Sequence, residues 1–133
     1  MRAVDTNVLV RCYLRDDPAQ ARLAEKLLSA GDMFVPKTVA LELERVLRSV
    51  AEQPAGKVLD CLAHLIALPV ITIEDHEQVE TALRHCREDA DFADALHHAA
   101  SHACREVLTF DDRRYVRRAA RLGLRPPVRL LTN

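Results

Sequence analysis

Two short apolar runs each end in an aspartate. Ala3-Val4 runs into Asp5, and Val107-Leu108-Thr109-Phe110 runs into Asp111. In a parallel α/β sheet the carboxyl ends of the strands line the crevice where ligands bind, so two acids at such ends would face a common space. Two carboxylates about 5 Å apart in an effective dielectric of about 20 repel by roughly 3 kcal/mol. A divalent cation removes that repulsion, and it can also activate water and offset charge on a phosphate.

Further acids could join such a site. On a helical wheel with Val39 at zero and about 100° per residue, the apolar stripe Val39, Leu43, Val46, Leu47, Val50 covers roughly −20° to 80°, and Glu42 falls near −60°, at its edge. That position lets Glu42 be half-buried while reaching a cleft, and Glu44 and Arg45 point further outward. Asp91 and Asp94 are three apart and His98 lies four beyond Asp94, so all three share one helix face, opposite Phe92, Ala95, Leu96 and Ala99.

Each acid also has a structural reading as a helix cap, which applies to Asp5 with Thr6, to Asp91, and to Asp94 in a first turn. Of the adjacent pair, Asp111 directly follows the strand and is the site candidate, with Asp112 as the helix cap. The Thr109 hydroxyl could orient a carboxylate. His97, His98 and His102 lack the His-Glu-x-x-His pattern and paired thiols, so structural zinc is not expected. Oxygen ligands alone suit magnesium or manganese.

The elements that would position these acids can be read from periodicity. Short apolar runs alternate with helical stretches, the pattern of an α/β domain with a parallel sheet. Strands are expected near Ala3-Val4, Phe34-Val35, Val70-Ile71, Val107-Leu108 and Val128-Leu130. Asp17-Pro18 opens a helix carrying Ala21, Leu23, Ala24, Leu27 and Leu28, which Gly31 closes. Thr38 can cap the next helix. Pro54-Ala55-Gly56 separates it from an antiparallel one bearing Val58, Leu59, Leu62, Leu65 and Ile66. Asp75 and Asp91 can cap two more, and Pro126-Pro127 ends an Arg-rich helix.

At 133 residues and 49% hydrophobic composition, the chain has the length of a single domain, 1–133, with one substantial core. The net charge of −1 conceals a segregation: Glu74 to Asp94 holds eight acids against two arginines, whereas Arg113, Arg114, Arg117, Arg118, Arg121, Arg125 and Arg129 follow Asp112 with no acid after it. A basic tail beside an acidic site could hold a polyanion whose scissile group sits on a metal, although for an arginine run alone a solvated helix face is the commoner explanation. Cys12, Cys61, Cys86 and Cys104 form no Cys-x-x-Cys pair and no secretory leader precedes them, which points to reduced thiols in a cytoplasmic protein. No apolar run approaches the roughly 20 residues that span a bilayer. Aromatics are only 4%, which weakens any reading built on stacking of many bases.

Taken together, Val4-Asp5-Thr6-Asn7-Val8-Leu9-Val10-Arg11, Val39-Ala40-Leu41-Glu42-Leu43, Asp91-Phe92-Ala93-Asp94-Ala95-Leu96 and Thr109-Phe110-Asp111 resemble the PIN-domain ribonucleases, and more narrowly the VapC toxins of type II toxin–antitoxin systems. The resemblance covers nearly the whole chain. It implies a PIN-like three-layer α/β/α domain around a central parallel sheet of about five strands. It also implies that Asp5, Glu42, Asp94 and Asp111 bind Mg2+ or Mn2+ and cleave RNA, supported by Thr6, Asp91 and Thr109. A cytoplasmic homodimer inhibited by a small cognate antitoxin protein is implied too. Arg113, Arg114, Arg117 and Arg118 are candidates for RNA backbone contacts. Two other classes compete: a magnesium-dependent phosphohydrolase of small phosphate esters, disfavoured because Asn7 stands where a second nucleophile-motif aspartate would be, and a non-catalytic RNA- or antitoxin-binding module, disfavoured because all four acids are present.

Overall fold

A computed structural model describes residues 1–133. The chain divides into two compact units, Met1–Glu80 and Thr81–Asn133.

In the first unit, strands β1 (Arg2–Ala3), β2 (Met33–Val35) and β3 (Ile71–Ile73) form a parallel sheet in the order β1-β2-β3. Met33 pairs in register with both Arg2 and Ile71. Met33, Val35, Ile71 and Ile73 are buried and alternate with less buried neighbours, the period-2 signature of a sheet with one face on the core.

Helix α1 (Thr6–Leu14) follows β1. Helix α2 (Pro18–Ala30) opens on Asp17, whose carboxylate accepts the Gln20 N–H at 3.1 Å, with proline in its first turn. Gly31 ends it at φ +80, a conformation side chains rarely adopt, and Val70 Cγ1 lies 3.4 Å from where a Cβ would stand. Asp17→Ala should therefore cost about 1 kcal/mol of stability, read as a lower urea midpoint with unchanged m-value; an unchanged midpoint would remove the cap from the account.

Helix α3 (Lys37–Arg45) runs on into a π-helical turn (Val46–Val50), and α4 (Ala55–Ala67) packs against α3. Leu9, Met33, Val35, Leu43, Leu47, Leu62 and Leu65 form the centre of this core.

Several local expectations are corrected here. Leu23 is exposed, because it sits about 100° round the helix from buried Ala24. Thr38 does not cap α3; the chain enters from Pro36, whose extended backbone needs no side-chain bond. Asp75 directs its carboxylate to Lys37 Nζ at 2.8 Å, and its carbonyl accepts the first backbone bonds of α5 (His76–Arg87).

In the second unit, α6 (Phe92–Ala100) is capped by Asp91 and buries Phe92, Ala95 and Leu96. Strands β4 (Val107–Thr109) and β5 (Val128–Leu130) pair in parallel, Leu108 opposite Arg129. A π-helical turn (Asp112–Val116) leads into α7 (Arg117–Leu122), which ends at Gly123 in the left-handed region. The molecule is thus mixed α/β, with seven α-helices and five parallel strands. Five strands are present as expected, but they pair in parallel as a sheet of three in the first unit and a sheet of two in the second, not as one sheet. Strands of two or three residues offer few ladder positions to extend a sheet.

Candidate active site

In the first unit, Val4 N–H donates to the Phe34 carbonyl at 3.0 Å, which carries the sheet one residue past β1 and fixes where Asp5 begins. Asp5 is exposed and extended, and its Oδ1 accepts the Thr6 N–H at 2.8 Å, capping α1. Capping occupies one lone pair of one oxygen, so the second oxygen can still bind a ligand. Thr6 is 5% exposed, and its Oγ1 has no protein partner.

Glu42 lies elsewhere than the wheel suggested. The buried residues of α3 and its π turn are Ala40, Leu43, Glu44 and Leu47, which centre near 90° on the same wheel rather than near 30°. Glu42 is therefore exposed rather than half-buried. The buried acid is Glu44, 5% exposed and neutralised by Arg48 Nε at 2.6 Å. Val39 and Val50 misled the wheel: the first is half-buried, and the second stands exposed at the end of the π turn.

In the second unit, Asp91 Oδ1 accepts the Asp94 N–H at 3.0 Å, holding both aspartates at the start of α6. The Asp94 carboxyl titrates above its ordinary range because of burial, and then because of the negative charges of Asp91 and Asp111; His97 and Arg118 oppose the shift. Two neighbouring acids thus concentrate negative field at the Asp94 side chain.

Asp111 is fixed from both sides: its N–H donates to Thr109 Oγ1 at 3.0 Å, and its Oδ1 accepts the Arg114 N–H at 2.9 Å. Asp111, not Asp112, is the cap of the π-helical turn. Asp112 pairs with Arg117 at 3.2 Å. The expected division of labour between the two is therefore reversed as regards capping, and Asp111 keeps a free oxygen for chemistry.

Arg114 and Arg118 line one small cavity with Asp91 and Asp94. Arg121 and Arg129 pair with Asp89 and Glu106. The tail arginines are consequently divided between surface ion pairs and the acidic site. His98 is 3% exposed, and its Nε2 lies 2.7 Å from the Pro126 carbonyl, so Nε2 carries the proton and donates. The face of α6 that bears Asp94 and His98 therefore packs against the unit's own chain, whereas the spacing alone set it opposite the apolar face. His97 and His102 are exposed. The Tyr115 ring meets His98 edge-on, with centroids 6.5 Å apart at 85°.

As the side chains stand, no group of three or more His, Cys, Asp or Glu residues is arranged to hold a metal ion. The donor chemistry nevertheless fits a hard cation: Asp91, Asp94 and Asp111 offer oxygen only, and the raised Asp94 pKa marks a place where added positive charge is stabilising. Asp5 and Thr6 of the first unit supply the same kind of donors.

Parallel strands alternating with helices define an α/β protein; an aspartate follows β1 in the first unit, and in the second unit aspartates follow β4 and open α6. The sequence matches the PIN domain over residues 2–122, through both units, and the chain belongs to that family. PIN domains are typically nucleases that depend on divalent metal ions such as Mg2+, and a nuclease role follows at that level. No curated protein matches the sequence. No helix is long and apolar enough to cross a membrane.

Proposed function

We propose that this protein is a magnesium- or manganese-dependent endoribonuclease and the toxin of a type II toxin–antitoxin pair of the VapC kind. The observation that carries the reading is the convergence of negative charge on Asp94 from Asp91 and Asp111, within a chain that belongs to a family of metal-dependent nucleases.

Asp5, Asp94 and Asp111, with Glu42, would hold the cation. When bound, Mg2+ or Mn2+ lowers the pKa of water and offsets charge on the phosphate. Asp91 keeps Asp94 at the helix start through its backbone, and Thr109 keeps Asp111 at the strand end, so two of the acids are held by groups outside their own side chains. Arg113, Arg114, Arg117 and Arg118 neutralise RNA phosphates and fix register without reading sequence. The cytoplasm as location, a homodimer as the working form and a small antitoxin as inhibitor belong to the same reading.

In-line attack by water on the phosphodiester leaves a 5′-phosphate and a 3′-hydroxyl, with no part for the 2′-hydroxyl. End-group analysis of cleaved RNA tests this: 5′-phosphate ends support the reading, and 2′,3′-cyclic phosphates contradict it. Hydrolysis of phosphate monoesters in preference to RNA would favour the small-ester phosphohydrolase instead. Arg114→Ala should weaken RNA binding about equally across sequences and lower the slope of log K against log salt by about 1; an unchanged slope would take Arg114 off the RNA path.

A further inference from the structure

Phe110 stands immediately before Asp111 and has no part in the site as described so far. It is 81% exposed, whereas Phe92 is buried and Phe34, Tyr13 and Tyr115 are partly covered, so Phe110 carries the one phenyl or phenol ring open to solvent. Its backbone is held on both sides. Thr109 pairs in register with Leu130, and its carbonyl accepts the Leu131 N–H at 2.8 Å. Asp111 is tied back to Thr109 Oγ1 at 3.0 Å and forward to the Arg114 N–H at 2.9 Å. Leu108, two residues earlier, the spacing that puts strand residues on one side, is 50% exposed. Arg113 and Arg114 follow directly after the two aspartates, and both are exposed.

We infer that Phe110 is a stacking platform for one unpaired RNA base, seating the nucleotide whose phosphate lies at Asp111. Adjacent Cα atoms are about 3.8 Å apart, so a base on the Phe110 ring and a phosphate at Asp111 belong to the same or neighbouring nucleotides. An aromatic platform beside basic side chains holds single strands without reading their sequence, because every base has a π-face and the cations follow the backbone. Arg113 and Arg114 supply those cations. A base inside a duplex is already stacked on its neighbours, so the platform selects loops, bulges and ends. A protein partner fits the patch less well: one ring and one half-exposed leucine offer far less than the roughly 800 Å² that each partner buries in a stable interface. One ring also agrees with the low aromatic content, which argues against a track of many stacked bases and leaves room for a single one.

The inference rests on the ribonuclease reading above, and the experiment separates the two. Binding of a short single-stranded RNA of mixed sequence is measured over a range of salt in Ca2+, a hard cation for oxygen ligands, in the wild type, Phe110→Ala, Phe110→Leu and Phe110→Trp. Sedimentation velocity follows the oligomeric state, and cleavage of the same RNA in Mg2+ or Mn2+ is followed separately. Phe110→Ala and Phe110→Leu should bind roughly 5- to 150-fold more weakly, with the salt slope unchanged because a phenyl ring releases no counterions. Phe110→Trp should restore binding; the chain has no tryptophan of its own, so the new indole reports alone, and its emission should be quenched as RNA binds. Melting temperatures should stay level, as expected for an exposed side chain. Equal affinity in Phe110→Ala, full recovery in Phe110→Leu, or a smaller species in Phe110→Ala that marks the ring as a subunit contact overturns the platform. Binding with the expected pattern but no cleavage in either metal overturns the ribonuclease reading and leaves the platform standing, and a wild type that neither binds nor cuts RNA overturns both.

Discussion

Asp94→Asn is expected to lower RNA cleavage by roughly 10²–10³-fold or more and, at neutral pH, to raise thermal stability. The two effects have one cause. Asp94 ionises against burial and against the charges of Asp91 and Asp111, so its folded-state pKa lies above its ordinary value of 3.8. A raised acid binds its proton more tightly when folded, so stability falls as pH rises from the unfolded value through the folded one, and the full penalty is present above both. Asparagine keeps the shape and removes the charge. The gain in Tm should therefore be present at pH 7, shrink as pH falls through the raised folded value, and vanish below the unfolded value. Thermal melts across pH check this directly. A variant less stable than the wild type at pH 7 would mean that Asp94 is held by favourable partners and that the acids are not poised for a cation. The pattern is a familiar exchange of stability for function.

The second large effect concerns the scaffold. Phe92→Ala should cost about 3–5 kcal/mol, a large share of the roughly 5–15 kcal/mol that keeps a domain folded. Phe92 is 1% exposed and among the largest fully buried side chains, and it is the first residue of the helix whose cap and first turn are Asp91 and Asp94. Its loss should also abolish cleavage, because the acids lose the helix that orients them. Urea denaturation gives the stability, and a cost below about 1 kcal/mol would contradict the packing described for α6.

How far the sequence could be read depended on the kind of signal. The five strands were legible because β-branched and apolar residues cluster in short runs there, and helix α2 because Asp17-Pro18 and Gly31 mark both of its ends with residues whose backbone chemistry is unambiguous. The placement of Asp5 and Asp111 was legible for the same reason: each follows a strand. What could not be read was whatever depends on packing. The wheel for α3 took Val39 and Val50 as core, and the π turn after Arg45 changes the period that the wheel assumes, so Glu42 and Glu44 exchanged places. Helical spacing put Asp94 and His98 on one face correctly, but spacing carries no information about what covers a face. Burial of His98, its bond to Pro126 and its contact with Tyr115 arise from residues 17 and 28 positions away. Choosing between Asp111 and Asp112 as cap likewise required the actual entry of the turn, because either residue satisfies the preference for aspartate.

The central claim is a metal-dependent ribonuclease built on these acids. The most direct measurement is cleavage of a mixed pool of structured cellular RNAs by the purified protein, with and without Mg2+ or Mn2+, beside Asp5→Asn and Asp94→Asn. Cutting that requires the metal and is lost in both variants is the expected result. Cutting that persists without metal, or that survives both substitutions, would contradict it.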